Sequence, residues 1–173
     1  MATNSETLIG PNLCPSIRKM AEEDLNSVVI NENKSYEFPW TRGVFNDCLG
    51  RDYECWVVCF DKKIIGHAIF SEAANEAHLL NLCIEPEFQG RGFGRKLVHH
   101  VLSIARSFAV TLVFLEVRIS NLAANQLYES IGFSQIGVRK SYYPAKIGYE
   151  DAKVLAIDVS QYFASDNVYL AWN

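Results

Sequence analysis

Seven residues, Gln89-Gly90-Arg91-Gly92-Phe93-Gly94-Arg95, place glycine at every second position between an apolar run (79–84) and a helical pattern (96–108). Alternate glycines let a backbone turn tightly and bring its amides close to a ligand. A helix beginning here would add unpaired N–H groups and the positive end of its dipole, which suits a phosphate. A tight strand-to-helix turn would use the same glycines. Two titratable residues follow. Glu116 shares a strand face with Leu112 and Phe114, an unusual position for a carboxylate; it either pairs with Arg118, two residues on, or accepts a proton. Tyr128, beside Leu127 and Ile131, is either a core tyrosine or a proton donor, since a phenol titrating near 10 stays protonated at neutral pH.

The elements that must position these groups can be read in order. Residues 1–12 lack periodicity and form a loose arm. A short strand (13–18) precedes a helix (20–30) with Glu22, Glu23 and Asp24 in its first turn, where the dipole favours acids. Phe38-Pro39-Trp40 breaks that helix, and Thr41 caps a second running to about residue 49. Strand-like runs at 53–60, 64–71 and 77–84 form an antiparallel meander, with a short turn at Asp61-Lys62-Lys63 and a longer one at 72–76. After the glycine loop, Leu97, Val98, Val101, Leu102 and Ala105 recur at helical spacing. A strand (112–117) leads to a helix that starts at Asn121 and stops at Gly132, and two strands (133–143, 153–159) close the pattern. The fold class is therefore α/β: one mixed, mostly antiparallel sheet of about seven strands with helices on both faces. The domain spans 13–160, followed by an extension (161–173) rich in aromatics: Tyr162, Phe163, Tyr169 and Trp172.

Composition narrows the class. The 173 residues are enough for one domain with a full core, and 49% hydrophobic with 21% charged residues is ordinary for a globular protein. No apolar run approaches the roughly 18 residues of a membrane span, and no secretory signal is read at the N-terminus. Five cysteines show no CxxC pair or disulfide framework, so reduced thiols and a cytoplasmic location are expected. A net charge of −4 argues against nucleic acid and suits a basic ligand. His67, His78, His99 and His100 lack the spacing of a metal site, and no metal is expected.

The element order, with Gln89-Gly90-Arg91-Gly92-Phe93-Gly94 at its hinge, resembles the GCN5-related N-acetyltransferase (GNAT) family, whose acetyl-CoA loop reads Gln/Arg-x-x-Gly-x-Gly/Ala. Leu115-Glu116-Val117-Arg118, then Asn121, then Leu127-Tyr128-Glu129-Ser130-Ile131-Gly132-Phe133 is similar to the RimI type, the N-terminal acetyltransferases of bacterial ribosomal proteins. Phe38-Pro39-Trp40, Tyr142-Tyr143-Pro144 and Glu150-Asp151-Ala152 fit that type too. The arm before Leu13 and the tail after Ser160 extend past its usual limits.

The resemblance implies a notch where the fourth and fifth strands splay. Backbone groups of Leu82, Cys83 and Ile84 would pair with the pantetheine arm, and one N–H there would polarise the thioester carbonyl. Gln89 and the amides of Gly90, Arg91, Gly92, Phe93, Gly94 and Arg95 would hold the pyrophosphate, with charge from Arg91 and Arg95. Asn121 would cap its helix and contact the pantetheine. Glu116 would be the base, directly or through water, and Tyr128 the acid that protonates the departing thiolate. Phe38, Trp40, Tyr142 and Tyr143 would wall the acceptor cleft, with Glu32, Glu37 and Glu150 attracting a basic peptide; aromatic packing and solvated loop charge are the plainer alternatives. The acceptor so implied is the N-terminal alanine of small-subunit ribosomal protein 18. Other acceptors are a lysine or a small amine such as a polyamine or aminoglycoside. A non-catalytic acyl-CoA sensor is a third reading, which the presence of both Glu116 and Tyr128 disfavours. A monomer or weak homodimer without direct nucleic-acid binding is expected.

Overall fold

The computed structural model describes residues 15–51 and 53–165. The expected arm, Cys14, Tyr169 and Trp172 lie outside them. Seven strands form one sheet: β1 Ser16–Lys19, β2 Glu54–Phe60, β3 Lys63–Ala73, β4 Glu76–Ile84, β5 Leu112–Arg118, β6 Ser134–Pro144 and β7 Tyr149–Asp158, in the order β1-β2-β3-β4-β5-β7-β6. Only β4 and β5 run parallel; the other neighbours are antiparallel.

The helices are α1 Leu25–Ser35, α2 Arg42–Leu49, α3 Phe93–Ser107, α4 Leu122–Ile131 and α5 Val159–Ala164. They lie on both faces. Leu25 and Val28 of α1 and Phe45 and Cys48 of α2 pack on Val57 and Ile69 of the first strands. On the opposite face, Leu97, Val98, Val101, Leu102 and Ala105 of α3 are all buried, the stripe that their spacing defined, against Val113, Leu115 and Val117 of β5. That alternation leaves Glu116 and Arg118 on the α1/α2 face of the sheet. Tyr162 of α5 joins the α3 core at 5% exposure, with its hydroxyl 2.8 Å from His99 Nδ1.

The helix starts follow local chemistry. Thr41 Oγ1 accepts from Val44 N at the head of α2, and Asn121 Oδ1 accepts from Ala124 N, 3.1 Å away, at the head of α4. The thiols of Cys48, Cys55, Cys59 and Cys83 are all free.

Candidate active site

The parallel pairing of β4 with β5 ends at Leu79 opposite Leu115. Beyond it β4 continues along β3 as far as Ile84, and β5 along β7 as far as Arg118. The two strands diverge beside a cleft of about 840 Å³, walled by the loop after α1, the end of β4, the starts of α3 and α4, and the β6–β7 connection.

One side of this cleft is bare backbone. Gly90 and Gly92 take φ of 73° and 83°, the left-handed region that favours glycine, and a Cβ at either would meet no protein atom within 4 Å. Gly92 caps α3 with no side-chain bond, and Lys96 N is the donor that Gly92 O receives. The amides of Phe93, Gly94 and Arg95 thus have no partner within the helix and lie at its positive end. At Gly94 a Cβ would stand 3.2 Å from Leu127 Cδ2, so the missing side chain lets α3 and α4 meet closely. Arg95 is held at the rim by donating to Ser130 Oγ (2.6 Å), and Gln89 Nε2 donates to Ile84 O (2.8 Å). Asn121, besides capping α4, lines the cleft. Two loop residues turn elsewhere: the Arg91 guanidinium lies 5.3 Å from the Phe88 ring, and Phe93 packs against Phe60 at 7% exposure.

The β4 wall separates the three residues expected to act together. Glu85 N donates to Ile65 O on β3. Strand alternation then points the polar groups of Leu82 and Ile84 away from β3, and those of Cys83 back toward it. Leu82 O accepts from the Tyr36 hydroxyl, and Ile84 O from Gln89, leaving the Leu82 and Ile84 amides as the cleft's donors. Cys83 is not brought to the cleft: its side chain is buried under α1, and burial pushes its thiol up to about 12. There it meets Glu32 and His67, the donor atoms of all three lying within 4.8 Å of one another, a grouping that linear spacing does not reveal. Glu32 is 1% exposed and so does not attract a peptide. Its Oε1 accepts from Trp40 N (3.0 Å) and Asn81 Nδ2 (3.1 Å), and Oε2 lies 3.2 Å from His67 Nε2. The buried carboxylate fastens the loop after α1 to β3 and β4.

Glu116 is the first β5 residue past the paired segment. Its carboxylate does not pair with Arg118. Oε2 lies 3.0 Å from His78 Nε2 on β4 and Oε1 lies 3.2 Å from Arg139 Nε on β6. Arg118 instead gathers the acceptor side: it donates to Pro144 O (2.9 Å), pairs with Glu150 (3.3 Å), and stands 4.4 Å from the Tyr143 ring and 5.6 Å from the Phe38 ring. Ser120, whose N–H donates to Glu150 at 2.7 Å, and then Arg118 hold the Glu150 carboxyl below the ordinary range against some desolvation. Phe38, Glu37 and Glu150 line the cleft. Trp40 does not; it packs 5.6 Å from Phe45. Tyr142 is 42% exposed with Arg139 5.2 Å from its ring, and the Tyr143 hydroxyl donates to Glu116 O.

Tyr128 reaches the site from the α4 face. It is 7% exposed, packs 5.5 Å from Phe133, and its hydroxyl has no hydrogen-bond partner among the described residues. Burial, and next the neighbouring Tyr143, raise its pKa well above 10, so it is a proton carrier at any physiological pH. Burial likewise raises Tyr36, on which Tyr128 and Tyr143 also act. Tyr36 lines the cleft, with Tyr128 and Tyr143 near it. Tyr36 and Arg118 are the residues that sequence reading missed as site components; only their nearness to Phe38-Pro39-Trp40 and Glu116 hinted at them.

The model of the acetyltransferase (GNAT) family matches residues 16–133, and the chain belongs to that family. Within it, the ribosomal protein bS18-alanine N-acetyltransferase of Salmonella typhimurium is 35% identical over 145 residues, which is 84% of this chain and 98% of that protein. The enzyme of the same name from Escherichia coli K12 is 34% identical over the same shares. A crystal structure of the Escherichia coli ribosomal-protein-S18-alanine N-acetyltransferase matches with a TM-score of 0.79 at 33% identity, covering 84% of this chain and 94% of that one.

Proposed function

We propose that this acetyltransferase moves an acetyl group from acetyl-CoA to the N-terminal α-amine of a protein, the alanine of ribosomal protein bS18 being the acceptor. The observation that carries the chemistry is the divergence of β4 and β5 after Leu79 and Leu115, which opens a gap beside the glycine cradle, with Glu116 the first β5 residue past the paired segment. The acceptor follows from the relatives, whose length the chain matches almost end to end.

The residues present fit a diphosphate with a long polar arm. The α3 amides and the open glycines offer donors without competing side chains, and the Leu82 and Ile84 amides continue that line of donors into the notch. Acetyl-CoA supplies an activated thioester when bound. Leu82 N–H or Ile84 N–H is placed to stabilise charge developing on the acyl oxygen. Glu116, on the α1/α2 face, takes the proton from the attacking amine. Tyr128, on the α4 face, donates toward the sulfur as the C–S bond breaks. Base and acid thus work from opposite sides of the sheet.

The choice of amine matches a carboxylate base. Presenting a chain-terminal amine in neutral form at pH 7 costs about 1 kcal/mol, against about 4.6 kcal/mol for lysine. A thiol-release assay with acetyl-CoA and a panel of acceptors tests the reading. Release is expected with a peptide beginning in alanine and little with lysine side chains or polyamines. No release with any acceptor would leave an acyl-CoA-binding protein without turnover.

A further inference from the structure

A carboxylate that takes a proton from each incoming amine must return it to water before the next turnover. The Glu116 side chain is 8% exposed, so bulk water reaches it poorly. Its two partners differ in what they can do. Arg139, on Oε1, is permanently protonated and can only hold the carboxylate in place. His78, on Oε2, has a side chain 36% exposed and carries an imidazole, whose two ring nitrogens can take a proton on one side and give one up on the other. Phe114 of β5 lies 6.1 Å from its ring, and Ser71 of β3 stands opposite it in the sheet.

We propose that His78 is the proton relay of the site, a positioning residue that acts through Glu116 and connects it to solvent. The proposal rests on the reading of Glu116 as the base. The amine N–H bond breaks and its proton moves to Glu116. The carboxyl then yields that proton to His78 Nε2, and the imidazolium releases the proton on Nδ1 to water. The ring regains its starting tautomer by exchange with solvent. No atom beyond the acceptor's own proton is gained or lost. Between turnovers the Arg139 pair holds the carboxylate in place, 3.0 Å from the Nε2 that receives its proton.

The test compares His78→Ala, His78→Gln and Glu116→Gln in full-length protein, with thermal melts to confirm folding and steady-state rates at several buffer concentrations. His78→Gln keeps a polar side chain of similar length beside Glu116 but has no basic ring nitrogen. Both His78 variants are expected to lose on the order of tenfold in kcat with the acetyl-CoA KM unchanged. Their rates should rise with imidazole concentration, whereas wild-type rates should not. Wild-type kcat in both variants, or a loss that imidazole and other buffers leave untouched, overturns the relay. Activity retained in Glu116→Gln overturns the base and the relay together. Activity lost in Glu116→Gln but kept in His78→Ala overturns the relay alone.

Discussion

The hydroxyl of Tyr143, on β6, donates to the main-chain carbonyl of Glu116, on β5, across 3.0 Å. The same phenol ring receives the Arg118 guanidinium at 4.4 Å, so one side chain links the base's backbone to the acceptor loops. Tyr143→Phe keeps the ring and removes the donor. Leaving that partly buried carbonyl unpaired is expected to cost about 1 kcal/mol, or about 2–4 °C in Tm for a chain of this size. Turnover should fall severalfold with the acetyl-CoA KM unchanged. Wild-type melting and turnover together would show that the bond does not set the position of Glu116.

Tyr128→Phe should reduce kcat at least about tenfold while leaving acetyl-CoA affinity near wild type. A loss under about threefold is a share of the barrier below roughly 0.7 kcal/mol and would remove the acid role. The pH dependence follows from the same burial. Burial lifts the Tyr128 pKa above its ordinary value of 10, so the phenol is fully protonated throughout the neutral and mildly alkaline range. Ionisation of this group therefore causes no loss of wild-type activity below about pH 10. An alkaline limb near pH 8 or 9 that vanishes in Tyr128→Phe would contradict this assignment.

Gly92→Ala tests the cradle. The residue sits at φ 83°, where an L side chain strains the backbone by about 1–2 kcal/mol. The added methyl would project into open cleft, not into protein. The expected result is a lower Tm and a raised KM for acetyl-CoA, with the acceptor KM little changed. An unaltered acetyl-CoA KM would place the phosphates elsewhere.

Arg118→Gln should act on the other substrate. Arg118 holds Phe38, Pro144 and Glu150 together, joining the loop after α1 to the β6–β7 connection. Its loss is expected to raise the acceptor-peptide KM on the order of tenfold, equivalent to about 1.4 kcal/mol, while the acetyl-CoA KM stays constant. Equal effects on both substrates would mean that Arg118 supports the cleft as a whole.

Where the chain's own spacing carried the information, the sequence was legible. The α3 stripe, the Thr41 and Asn121 caps and the stop at Gly132 follow local rules and stand where those rules put them. Turns without glycine were less visible. The β3–β4 turn shortens to Ala74 and Asn75, both at positive φ, because the sheet pairing continues to Ala73 opposite Glu76 and overrides their weak preference for that conformation. Across-sheet partners were not legible at all. Glu116 and Arg118 are same-face neighbours by spacing, yet each found its ion partner on other elements: His78 and Arg139 for one, Glu150 for the other. The acid Glu32, which looks like surface charge between Asn31 and Asn33, is buried because a main-chain amide and Asn81 both donate to it. Trp40 left the expected site because packing against α2 claimed its ring, and Cys83 because strand alternation turns its backbone groups toward β3.

The central claim is that the acceptor is an α-amine and that the glycine cradle and Glu116 serve it. The most direct measurement incubates the protein with acetyl-CoA and a peptide bearing the N-terminus of ribosomal protein bS18 and an internal lysine, then maps the acetyl group by mass spectrometry. The account predicts one acetyl group, on the alanine α-amine, and none when that amine is blocked beforehand. Acetylation of the lysine, or equal transfer to the blocked peptide, would contradict it.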